Sequence, residues 1–121
     1  EDITYPGSPG AQKVVNLVAT HGVDVAAYTI DFSNNVIPNF QKGGILVMGP
    51  YLTFTVDDND VTFVPTDDIA GNGIQLSYGA TGSTSGNVVD GVAYLGEDWS
   101  ATGILLFESG NVSMDGDEVF N

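Results

Sequence analysis

The side chains with the most chemical capacity in this sequence are His21 and the 16 Asp and Glu carboxylates. His21 is the lone histidine and stands in "THGVD", three residues before Asp24. A serine triad needs a histidine base held between a nucleophile and a carboxylate. Nothing local encodes that geometry, so His21 reads as a turn or surface residue. Zinc needs three or four His or Cys ligands, and the chain has one histidine and no cysteine. The carboxylates fall in short clusters: "DDND" at 57–60, Asp67-Asp68, "GED" at 96–98 and "MDGDE" at 114–118. A glycosidase would set two of them across a cleft, yet Asp is favoured at turns for backbone reasons alone. With no arginine there is no bidentate clamp for a carboxylate or phosphate substrate. The expectation is a protein that is not an enzyme.

Calcium is the one cofactor these residues suggest. Asp57, Asp58 and Asp60, then Asp67 and Asp68, then Asp115, Asp117 and Glu118 are hard oxygen donors on short loops. None follows the EF-hand register, since "DGDEVFN" puts Val119 at the third ligand position. Solvated turn carboxylates are the plainer reading, with no resident cofactor. "GATGSTSGN" (79–87) lacks the Gly-Lys-Ser/Thr ending of a phosphate loop and reads as a flexible or exposed loop. Tyr5, Tyr28, Tyr51, Tyr78, Tyr94 and Trp99 are candidates for a sugar-binding face, although outward tyrosines are common in any β protein.

Composition narrows the partners. The net charge of −14 arises from base depletion: Lys13 and Lys42 are the only basic residues, and charged residues make up 15% against about 25% in a typical soluble protein. A phosphate-binding surface needs clustered Lys and Arg, so no nucleic-acid partner is expected. An anionic membrane is disfavoured for the same reason. The longest apolar runs, "GILVMG" and "VVNLVA", are far below the roughly 20 residues that span a bilayer.

Abundant valine and glycine predict strands and tight turns. In "YLTFTVDDNDVTFVP" (51–65), Leu52, Phe54 and Val56 alternate with Thr53 and Thr55, Asp57–Asp60 supply a turn, and Val61 and Phe63 return. With "GNGIQLSYG" this reads as a three-stranded meander. "KVVNLVAT", "VDVAAYTIDF", "GGILVMGP", "VVDGVAYLG" and "TGILLFES" are further strands, the third buried on both faces. "EDITYPGSPG" carries two prolines and two glycines and reads as an extended arm. The expected architecture is mainly β: a single compact antiparallel β-sandwich or barrel-like domain over 12–121, preceded by an extended N-terminal arm over 1–11. No internal repeat is read.

"FQKGGILVMGP" resembles the short glycine-apolar-glycine strand of tailed-virus head-decoration proteins, the lambda-like cement proteins of capsids. "GVAYLGEDWSATGILLFESGNVSMDGDEVF" resembles that family's final stretch, with Gly91, Gly103, Leu105, Leu106, Phe107, Gly110, Val112, Val119 and Phe120 at matching places. The region 45–82 also resembles β modules of phage tail and fibre proteins. The decoration resemblance implies a virion structural protein on the outer surface of the capsid, forming a homotrimer and binding the major capsid protein. It implies no catalytic residue. The arm would attach by adding a strand to the shell, with Tyr5, Pro6, Pro9, Val14, Val15 and Leu17 as the contact residues. The alternatives are a viral tail tube or fibre subunit, and a secreted acidic β-sandwich module binding carbohydrate or calcium.

Overall fold

The computed structural model describes residues 13–18, 28–65 and 69–120. Every strand pairing among them is parallel. The chain winds round three sides. The first sheet holds β1 (Lys13–Val18), β4 (Gly43–Met48), β7 (Asn72–Ser77) and β10 (Thr102–Phe107). The second holds β2 (Tyr28–Ser33), β5 (Leu52–Asp57), β8 (Thr81–Ser85) and β11 (Val112–Asp115). The third holds β3 (Val36–Phe40), β6 (Asp60–Phe63), β9 (Val88–Asp90) and β12 (Glu118–Phe120). The fold is a β-solenoid of about three turns, in four stacked layers that each contribute one strand to each sheet.

This overturns the expected antiparallel sandwich or barrel. The segment 51–65 is not a hairpin: β5 lies in the second sheet, β6 in the third and β7 in the first. Alternation with period two says which side chains face inward, and that rule is the same for parallel and antiparallel strands. "GATGSTSGN" is likewise no loop, since it contains β8. The expected arm over 1–11, with Tyr5, Pro6 and Pro9, lies outside the described residues, as do His21, Asp24, Asp67 and Asp68.

The core forms from columns of like side chains, because parallel register brings equivalent positions of successive layers together. Val15, Ile45, Ile74 and Ile104 make one column, and Leu17, Val47, Leu76 and Leu106 the next. Ile37, Val61, Val89 and Val119 line the third sheet. Phe40 and Phe63 pack with ring centroids 5.0 Å apart. Gly44, Gly73 and Gly103 recur near the start of successive strands of the first sheet, facing that valine column. A Cβ at Gly44 would stand 2.5 Å from both the Gly73 carbonyl oxygen and Val61 Cγ1. The first and third sheets therefore approach too closely there for any side chain.

The corners differ in what they tolerate. Between the second and third sheets each turn is two residues: 34–35, 58–59, 86–87 and 116–117. Its first residue is left-handed every time, with φ of 60° at Asn34, 52° at Asp58, 61° at Gly86 and 68° at Gly116. Between the third and first sheets the connections are 41–42, 64–71 and 91–101. Asp58 occupies a conformation that the two following layers fill with glycine, Gly86 and Gly116. Asp58→Gly relieves that strain, and the gain is partly offset because the unfolded chain has more freedom to lose on folding. A net gain of about 0.5 kcal/mol is expected, read as a higher denaturant midpoint. A lower midpoint would mean the Asp58 side chain makes a contribution of its own.

Candidate functional site

Behind each left-handed corner residue an Asn or Asp turns inward, and these four side chains form a continuous ladder. The Asn35 amide N–H and Nδ2 both donate to Asn59 Oδ1, at 3.0 and 3.1 Å. Asn59 N and Nδ2 donate to Asn87 Oδ1 at 3.1 and 2.9 Å. Asn87 N and Nδ2 donate to Asp117 Oδ1 at 3.0 and 2.7 Å. Asn87 Nδ2 also reaches the Val56 carbonyl at 2.7 Å, and Asn59 Nδ2 reaches those of Phe32 and Asp57 at 3.0 Å. Thr84, which points inward, donates its hydroxyl to Asp117 Oδ2 at 2.5 Å. Asn59 and Asn87 are 1% and 0% exposed, so the ladder answers polar groups that water does not reach. Donation to the ladder Oδ1 atoms runs one way, from each layer to the next, and Asp117 accepts without a side-chain donor to pass on.

The outer face of the second sheet is a grid of small polar side chains. Thr29, Thr53 and Thr81 form one row, Asp31, Thr55, Ser83 and Ser113 the second, and Ser33, Asp57, Ser85 and Asp115 the third. Ser33 donates its hydroxyl to Asp31, and Asp57 Oδ1 is buried without a hydrogen-bond partner among the described residues. Asp57 and Asp115 are two layers apart, about 9.6 Å at the usual strand spacing, with Ser85 between them. They are too far apart to share one ion at ligand distances of about 2.3–2.6 Å. No three acidic or histidine side chains converge among the described residues.

Among the described residues the aromatic candidates do not form one face. Tyr78 packs edge-on against Phe107, with centroids 5.4 Å apart, at the corner between first and second sheets. Tyr51 ends the preceding turn of that corner and Tyr28 opens β2, while Tyr94 and Trp99 lie on the 91–101 connection. Lys42 is committed internally, its Nζ donating to the Ala70 carbonyl at 2.6 Å. Of the expected contact residues, Val14, Val15 and Leu17 fall on β1, where all three pack partly buried against the core.

What the sequence reading missed is the pair of end layers, whose outer edges are unpaired among the described residues. β1, β2 and β3 are the edge strands at one end of the stack, and β10, β11 and β12 at the other. The last layer exposes its core-facing side chains: Leu106 is 45% and Val119 49% exposed, where their neighbours in the preceding layer, Leu76 and Val89, are both 0%. Met114 and Phe120 are exposed beside them. Charge guards this end unevenly. β11 and β12 carry Asp115 and Glu118 with Asp117 between them, whereas β10, "TGILLF", has none. No protein-family model matches the chain, and neither curated sequences nor solved structures give a match.

Proposed function

We propose that this chain is a non-enzymatic structural protein of a tailed virus that decorates the head shell, attaching by strand addition at the β1 edge of the solenoid. The observation that carries the reading is the position of β1. Its outer side is unpaired among the described residues, and an unpaired strand edge is a template for another chain's backbone. The major capsid protein is the partner this mode fits, because a shell offers the same strand at every lattice point. A ligand that binds only the assembled shell stabilises it by its binding free energy. Three copies acting together would raise avidity without strong individual contacts. The base-poor exterior suits an outward position, where negative charge keeps particles apart.

Sedimentation with empty, expanded head shells assembled from a tailed-virus major capsid protein tests the reading. The chain is expected to co-sediment to a saturating stoichiometry. Asn16→Lys, which places a charged side chain on the β1 edge, is expected to weaken attachment by about tenfold, since lysine on an edge strand discourages pairing. Removal of residues 1–10 is expected to abolish attachment while leaving the domain folded. Failure of the intact chain to bind such shells, or full binding by both variants, overturns the proposal.

A further inference from the structure

We infer that the last layer of the solenoid is a seat for the first layer of a second copy, so that the chain associates head-to-tail in an open series. The inference rests on the strand-addition reading above and extends it to the opposite end. Extrapolating the observed register by one layer superposes the two ends. In the first sheet Val15 of the incoming copy falls on Ile104, Leu17 on Leu106 and Val18 on Phe107. In the second, Ile30 falls on Val112 and Phe32 on Met114. In the third, Ile37 falls on Val119. Each core column continues, apolar on apolar.

The charges also interleave. Asp31 falls on Ser113, Ser33 on Asp115 and Val36 on Glu118, so no carboxylate is set directly over another. The corner hydrogen bonds match as well. Within the stack, three donors recur at each step. The left-handed residue's N–H meets the carbonyl before the next layer's corner, as in Gly86 to Asp115. The ladder residue's N–H meets the next Oδ1, as in Asn87 to Asp117. The N–H that follows the ladder residue reaches back to the previous ladder carbonyl, as in Glu118 to Asn87. The last layer thus presents Gly116 N–H, Asp117 N–H and the Asp117 carbonyl. The first layer presents their complements: the Ser33 carbonyl, Asn35 Oδ1 and Val36 N–H. A contact between unlike surfaces that translates along the stack does not close, and yields an open series.

Asp117 regulates this junction. It lacks the amide that Asn59 and Asn87 pass to the next layer, and with Asp115 and Glu118 it places negative charge at a seat offered to an already acidic chain. Association is therefore expected to rise with salt, as the Debye length shortens from about 8 Å at physiological strength to about 3 Å at 1 M.

Sedimentation velocity and light scattering across protein and salt concentration test this. The expected result is a concentration-dependent series that lengthens at high salt. Asp117→Asn restores the donor and removes a charge, and should tighten association by about fivefold to tenfold, roughly the worth of one net hydrogen bond. Leu106→Glu, at an exposed position that leaves the fold intact by circular dichroism, should give monomers. A chain monomeric in all conditions, a series that stops at a dimer, or association indifferent to both substitutions overturns the inference. A monomer that still binds shells removes this inference alone. A series that forms without shell binding removes the decoration reading alone and assigns the chain to filament-type assembly.

Discussion

Asn87→Leu is expected to lower stability by about 3–5 kcal/mol, a large part of the 5–15 kcal/mol typical of a domain. The side chain accepts from Asn59 N and Nδ2 and donates to Val56 O and Asp117 Oδ1. Leucine fills a similar space and supplies none of these. Asn59 Nδ2 keeps the carbonyls of Phe32 and Asp57, and Asp117 keeps Thr84 and the Asn87 N–H. The Asn59 N–H and the Val56 carbonyl lose partners where the replaced side chain was 0% exposed. Each orphaned group costs about 1–3 kcal/mol, and imperfect repacking adds to the sum. Asn35→Leu is the internal comparison. It stands in the first layer, only partly buried, and no described residue donates to its Oδ1. Its loss should be about 1–2 kcal/mol. Urea titration of both variants checks the pair, and a penalty below about 1 kcal/mol at Asn87 would mean the ladder is ornamental.

Gly82→Ala is expected to cost about 3 kcal/mol or to prevent folding, through overpacking against atoms that cannot yield. A Cβ there would lie 2.8 Å from both the backbone nitrogen and carbonyl carbon of Phe54, and closer to its oxygen. Gly82 is paired on both sides, with Phe54 and with Val112, so a shift to relieve the clash would break the register of two strand pairs. Gly116→Ala is the contrast. Its φ is 68°, but the nearest atom to an added Cβ is the Gly86 nitrogen at 4.0 Å. It should show only the left-handed backbone penalty of about 1–2 kcal/mol. Equal losses in thermal unfolding at the two sites would refute the close approach at Gly82.

Many of the strands were readable from the residues, β8 within "GATGSTSGN" was not, and neither was how they pair. "GGILVM", "LTFTVD", "NGIQLS" and "TGILLF" were each legible by alternation and β-branched content, and each is a strand. Their mutual direction was hidden because "DDND" satisfies two kinds of turn. It looks like a hairpin connection, yet only Asp58 is left-handed, whereas the commonest two-residue hairpin turn needs positive φ at both central residues. A repeat signal was present in Gly44-Ile45, Gly73-Ile74 and Gly103-Ile104. Another lay in the ladder residues 35, 59, 87 and 117, each followed two positions on by Ile37, Val61, Val89 and Val119. It escaped notice because ladder neighbours are 24, 28 and 30 residues apart, a period stretched by connections of unequal length. Asn59 reads as a turn residue and Asn87 as part of a flexible or exposed loop for a related reason: the burial of a corner amide depends on layers above and below that no local window contains. The contact residues Val14, Val15 and Leu17 were legible as a strand, but their packing against the core depends on the stack as a whole.

The uneven connections have a practical reach. Two-residue corners carry the ladder and allow no change in length, while the passage from the third sheet to the first ranges from 41–42 to 91–101 without disturbing the register on either side. Foreign peptides grafted into 91–101 should therefore be carried on a rigid rod without altering its pitch, and among the fully described connections a protease should cut there first.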